Sequence, residues 1–502
     1  MLLKVNMIAN VVGKGWMALL ALALIPYYMH LLGPESYGLV GFAATVQAAC
    51  GLLDMGLSGT LNRELARLAH TEGSAHEMRN LVRTAESLYW PIALAIAFAG
   101  LIGSGLIAHR WLHLSHLNPM TAQHAIVLIG IVVALQFPQA LYMAALAGVE
   151  RQIGMNVALV IGMTFRGVLT ILMLRALSSG VMTFFVAQIV GNVLLTLCLA
   201  VMLWLAIPPS PGRARFDRRL LFQLKGFIAG MAGIALLLAI LLQMDNFAVS
   251  HLRPLAEFGY YSIATSVSCA PYVLSGAVNM AVLPRFTRYV AAGDYAELEL
   301  LYHRGAQALT AVLLPVSVSL GLFAPELLLA WTGNPHTVAH THLILSLMLI
   351  GVVLHALLYV PLALQVACGW PQFSAAAFSI GLVIFLPLTF FLTARFGSVG
   401  APFGWMGLNA TIIAVGIPLM HRRLLPGAQR SWYVNDVGIP ALATLAAGTA
   451  LRFAAPHGAS RAACALIVLL ALGVTGLAAA AATPLIRKMF ATRLAMVRPR
   501  AG

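Results

Sequence analysis

Between residues 7 and 486 the chain is a succession of apolar runs about 20 residues long, and that length admits few folds. A soluble helix carries one apolar stripe, not an apolar circumference. A run this long and apolar all round crosses a bilayer as a helix, because lipid offers no water to an unpaired backbone. A barrel is excluded, since its strands need only about 10 alternating residues. Composition agrees: 61% of residues are hydrophobic and 9% charged, against roughly 25% charged in an ordinary soluble chain. The expected fold class is an all-α polytopic membrane protein.

About fourteen spans are expected, near 7–31, 36–59, 86–108, 122–148, 155–177, 181–206, 226–249, 258–283, 305–332, 341–367, 372–394, 399–420, 434–453 and 461–486. Lys4, the apolar run after it and Ala21-Leu22-Ala23 imitate a signal peptide. The run continues to Leu32, however, and the segment recurs later in the chain, so a retained span is expected.

Basic residues set the orientation. One set of connections, with both termini, carries 22 of the 30 Lys and Arg; the opposite set carries six. Both termini are therefore expected in the cytoplasm. The formal charge of +15 follows from this bias, which makes anionic lipid heads at the cytoplasmic face the natural partner and excludes nucleic acid.

The chain also repeats. Glu35-Ser-Tyr-Gly38 returns as Glu257-Phe-Gly259, and Arg63…Arg67…Gly73 as Arg285…Arg288…Gly293. Six spans separate the copies, so both run in the same direction, as in transporters whose lobes are related by an axis along the membrane normal. The expected organisation is an N-lobe at 1–206, a basic cytoplasmic linker at 207–225, a C-lobe at 226–424, an extra helix pair at 434–486 and a basic tail at 487–502.

Charges inside spans are costly and mark sites. Lys14 and Asp54 fall toward the inner face, whereas Arg166, Asp245 and Glu326 fall toward the outer half. Each set could equally be an ion pair pinning helices together. Neutral polar residues recur in spans at Gln47, Gln136, Gln139, Gln188, Asn192, Gln243, Asn279, Gln365 and Asn409, as helix contacts or as the lining of a wet cavity. His109, His113 and His116 would share one helical face, with an interfacial role preferred over metal binding. Cys50, Cys198, Cys269, Cys368 and Cys464 lie in apolar runs without metal-ligand spacing and read as buried small hydrophobes. Nothing in the sequence implies a cofactor or an enzyme's catalytic centre.

Leu31-Leu-Gly-Pro-Glu-Ser-Tyr-Gly38 and Leu53-Asp54-Met-Gly56-Leu-Ser-Gly-Thr-Leu-Asn-Arg63-Glu-Leu-Ala-Arg67, with Gln243-Met-Asp245, Glu257-Phe-Gly259-Tyr-Tyr and Leu283-Pro-Arg285, resemble the Wzx-type polysaccharide exporters. These belong to the superfamily of MATE drug exporters and lipid II flippases. The resemblance covers residues 6–290. It implies a bacterial inner-membrane flippase that turns an undecaprenyl-pyrophosphate-linked oligosaccharide from the cytoplasmic to the periplasmic leaflet. It further implies two six-helix lobes around a cationic cavity, alternating access and an ion gradient as drive. Other polysaccharide-assembly membrane proteins would be candidate partners. Asn246 stands where the family often has a basic residue. On this reading Arg166, Lys14, Gln136 and Gln139 would contact substrate, and Asp245, Asp54 or Glu326 would couple the ion. The rivals are a drug or other lipid exporter of the same fold, which would favour acidic cavity residues, and a membrane enzyme of polysaccharide assembly.

Overall fold

The computed structural model describes residues 2–54, 56–210, 212, 214–217, 237, 239–456 and 458–487, with the backbone alone for residues 2–12 and 14. Among the described residues the regular structure is helical throughout, with one isolated bridge between His113 and Pro254. Twelve helices there are long and apolar enough to cross a membrane. Their outer faces carry large apolar side chains such as Leu94, Phe98 and Ile102, each more than 60% exposed; lipid covers a surface of this kind.

Residue contacts divide the chain into Met1–Gly259 and Tyr260–Gly502. The first unit holds α1 (Leu2–Gly51), α2 (Leu57–Ala69), α3 (Ala75–Leu106), α4 (Pro119–Gly148), α5 (Gln152–Ala176), α6 (Val181–Ala206), α7 (239–252) and the start of α8 (Leu255–Ser268). The first two expected spans are joined in α1 and bend at Gly33, whose φ of 77° and ψ of 167° are open only to glycine. The helix ends at Gly51, so Asp54 lies in a 3-10 turn at the span's end. The Arg63 and Arg67 connection is the amphipathic helix α2, with Leu57, Leu61, Leu65 and Leu68 buried beneath it. That spacing puts the four leucines on one face, where they meet Tyr89, Phe137, Leu141 and Leu199 in the unit's core.

Two expectations change here. His109, His113 and His116 share no helical face, because a π-helical turn at Ile107–Trp111 gives way to extended backbone at Leu112. The extended stretch is held instead by Leu255, whose N–H donates to the His113 carbonyl at 2.9 Å. Of the cysteines only Cys464 is buried, while Cys198 is exposed on α6 and Cys269 is exposed in the turn after Ser268, and none is disulfide-bonded. Half of the seventh expected span, 226–236 and 238, lies outside the described residues. The described part of the linker runs along α3: the Arg215 N–H donates to Asn80 Oδ1 at 2.7 Å, and the Asp217 N–H to Thr84 Oγ1 at 2.9 Å.

The second unit holds α9 (Ala270–Ala292), α10 (Tyr295–Leu322), α11 (Ala324–Thr332), α12 (Pro335–Leu357), α13 (Tyr359–Ala367), α14 (Pro371–Phe396), α15 (Pro402–Thr411), α16 (Ile417–Leu424), α17 (Ala428–Ser431), α18 (Ile439–Ala454) and α19 (Arg461–Ala482). Its core gathers Phe286, Tyr302, Leu309, Leu313, Leu358, Met420 and Trp432. A π-helical segment, Trp432–Gly438, joins α17 to α18.

Candidate functional site

The first unit keeps a charge among three helices. The stem of Arg166, on α5, lies against Gly191 of α6, where a Cβ would meet Arg166 Cγ at 2.5 Å. Its Nη1 donates to Asn192 Oδ1 at 3.0 Å. Asn192, fully buried, is a hub. Its Nδ2 donates to the Gln188 carbonyl at 2.8 Å, and its Oδ1 also accepts from Gln139 Nε2 at 3.2 Å. Gln139 donates as well to Thr196 Oγ1 at 3.0 Å, and Gln188 Nε2 donates to Thr170 Oγ1 at 3.1 Å. Thus α4, α5 and α6 are joined by side-chain amides in an apolar setting, where an unmade hydrogen bond is expensive.

Arg166 is not neutralised by this arrangement. No carboxylate among the described residues, Asp245 included, lies within ion-pair distance of it; the ion pairs there are made by other residues. A guanidinium has five N–H donors in a fixed fork suited to carboxylate or phosphate, and Asn192 uses one. Of the other residues expected to bind substrate, Gln139 has its amide nitrogen committed to α6. Among the described residues Gln136 Oε1 is buried without a partner. The Lys14 side chain lies outside the described residues.

The acidic residues have separate settings. Asp54 accepts from the hydroxyls of Ser58, at 2.5 Å, and Tyr89. Asp245, on α7, accepts from the Asn246 N–H at 2.9 Å. Glu326, in the first turn of α11, is paired with Arg452 of α18. The pairing ties the extra helix pair to α11.

Sequence reasoning missed Glu86, which stood at an expected span boundary. It is buried and accepts from Trp204 Nε1 at 2.9 Å, from the Tyr142 hydroxyl at 3.1 Å and from Arg83 Nη1 at 3.1 Å. Asp436 was missed too. Fully buried in the π-helical segment, it contacts His303 Nδ1 at 2.5 Å and accepts from Gln307 Nε2 at 2.7 Å. No group of three or more His, Cys, Asp or Glu among the described residues is gathered to hold a metal.

A family model described as "Polysaccharide biosynthesis protein" matches residues 29–340. The chain belongs to the polysaccharide biosynthesis protein family. A curated Shigella flexneri relative named "Putative O-antigen transporter" is 24% identical over 403 residues, which is 80% of this chain and 93% of that protein. Two solved structures share the family member's fold. One is a multidrug resistance MATE family transporter in its inward-facing conformation, with TM-score 0.70 and 16% identity over 81% of this chain and 94% of that one. The other is the lipid II flippase MurJ, inward closed, with TM-score 0.70 and 12% identity over 94% and 98%.

Proposed function

We propose that this family member is a flippase of the bacterial inner membrane, with both termini cytoplasmic. It moves an undecaprenyl-pyrophosphate-linked oligosaccharide, a repeat unit of O-antigen, capsule or exopolysaccharide, to the periplasmic leaflet by ion-coupled alternating access. The observation that carries this reading is Arg166. A helix bundle in lipid keeps a permanent charge only where something compensates it, and a hydrogen bond to Asn192 does so in part. A pyrophosphate arriving at the other N–H donors would complete the compensation. A transporter of organic cations has no use for a cation there, so the charge favours this reading over a drug exporter of the same fold. The name of the Shigella flexneri relative and the flippase fold neighbour support the same direction.

The test is complementation in cells deleted for the gene. Lipid-linked oligosaccharide should accumulate in the deletion, clear with the native chain, persist with Arg166→Ala and clear partly with Arg166→Lys, which keeps charge but loses the fork. Full clearance by Arg166→Ala, at matched membrane levels, would overturn the proposal.

A further inference from the structure

The Asn192 hub has a twin in the second unit. Asn409 of α15 is fully buried, and its Nδ2 donates to the Trp405 carbonyl four residues back at 2.8 Å, as that of Asn192 does to Gln188 at 2.8 Å. Its Oδ1 faces His355 Nδ1 of α12 at 2.9 Å, as that of Asn192 faces Gln139 Nε2 at 3.2 Å. The partners are 54 residues apart in one unit and 53 in the other. Two helix pairs in one chain thus use the same amide geometry at corresponding places.

The surroundings of the twins differ. The first hub holds Arg166. The second has no Lys or Arg in its hydrogen bonds and is ringed by aromatics. Around His355 the ring centroids of Trp405, Tyr272, Tyr359 and Phe378 lie at 4.8, 5.7, 5.8 and 6.1 Å, and all four side chains are half-buried. Trp405 Nε1 donates to the Tyr272 hydroxyl at 3.2 Å, which fixes both planes. Because Asn409 Oδ1 is an acceptor, neutral His355 carries its proton on Nδ1, and Nε2 presents a lone pair. Among the described residues nothing donates to it. A lone pair beside aromatic faces suits a ring that is apolar on its flat sides and carries hydroxyl donors at its edge.

We infer that the His355–Asn409 hub binds a pyranose ring of the glycan. Hydroxyl donation goes to His355 Nε2, and the ring face rests on Trp405 and Tyr359. This rests on the flippase reading: the glycan is the part of that substrate whose chemistry the second unit's hub fits.

The experiment compares two probes on the purified full-length chain. One is undecaprenyl pyrophosphate; the other is the lipid-linked repeat unit extracted from cells deleted for the gene. His355→Gln retains a donor to Asn409, as Gln139 does for Asn192, and so keeps the fold; Trp405→Leu and Tyr359→Leu remove aromatic faces at half-buried positions. Each should weaken binding of the repeat unit by about ten-fold, on the order of 1.4 kcal/mol, and leave undecaprenyl pyrophosphate unchanged. Arg166→Ala should weaken both probes. If the three variants bind both lipids as the native chain does, or lose both in parallel, the hub only packs helices and the inference falls while the Arg166 reading stands. If the native chain binds neither probe, the flippase reading falls and takes the inference with it.

Discussion

At position 191 the absence of a side chain is what gives Arg166 its place. Gly191→Ala would put a methyl 2.5 Å from Arg166 Cγ, so the stem must move. The guanidinium then leaves Asn192, and misplacement by about 1 Å costs a positioned group as much as a hundred-fold in rate. Clearance of lipid-linked oligosaccharide should therefore fall by roughly ten- to a hundred-fold at normal membrane levels. Gly15→Ala, where nothing among the described residues lies within 4 Å of the added methyl, should clear like the native chain. Glu86 gives a stability prediction instead. Glu86→Ala leaves the buried hydroxyl of Tyr142 and the half-buried indole N–H of Trp204 without this acceptor, at about 1–3 kcal/mol for the buried group and less for the other, and should lower the unfolding temperature in detergent clearly. Arg166 was legible in the sequence because an uncompensated charge in an apolar run stands out unaided. Glu86, Asp436 and His355 were not legible in the same way. Each takes side-chain partners 54 to 133 residues away, which no local pattern encodes.

At the scale of helices, the repeated glycines make a crossing. A Cβ on Gly38 of α1 would meet the Leu255 carbonyl oxygen at 2.2 Å, and one on Gly259 of α8 would meet the Pro34 carbonyl oxygen at 2.3 Å. The two backbones therefore approach as closely as glycine allows, a usual device of helices in lipid. The repeat read in the sequence aligns these two positions; it could not show that they meet, because a repeat relates places without bringing them together. Glu35, from the same motif, is buried and accepts from the N–H groups of Ser115, His116 and Leu117 at 2.6, 2.9 and 3.2 Å, which folds the 112–118 stretch against α1. Gly38→Ala or Gly259→Ala should push the helices apart at a cost of about 1–3 kcal/mol, the usual range for overpacking, visible as a lower unfolding temperature. Preserved stability in both variants would mean that the crossing adapts freely. The extra helix pair is held in another way, by Arg452 on Glu326 and by His303 and Gln307 on Asp436. Arg452→Met leaves the Glu326 carboxylate, 13% exposed, without its partner, and should destabilise by less than the roughly 3–5 kcal/mol of a fully buried pair because Arg452 is itself 34% exposed, whereas joining it to Glu326→Leu should recover most of the loss.

For the whole molecule the expectation still to be measured is orientation. Helix chemistry and length were legible from the apolar runs because lipid imposes them residue by residue. The count was harder to read, since a bend such as that at Gly33 separates two spans without a polar loop between them. Which end faces the cytoplasm depends on none of these features. It is decided when the chain inserts, by Lys and Arg that resist crossing the membrane. The bias here, 22 against six, is large, and it is spread over both halves, with Arg63, Arg67, Arg79 and Arg83 early and Arg422, Arg423 and Arg430 late. Reversing either half would therefore strand several cations on the wrong side, and the halves could disagree only if the expected even span count fails. Reporter fusions after Arg219 and at Gly502 should both be active in the cytoplasm. In a chain stripped of its own cysteines, Ser178→Cys, in the turn between α5 and α6, should react with an impermeant thiol reagent added to intact spheroplasts, and Gly73→Cys only after permeabilisation. A periplasmic signal at either fusion would reverse the orientation. Opposite outcomes at the two fusions would mean that the number of spans between them is odd, and the same-direction repeat would then fail with the orientation.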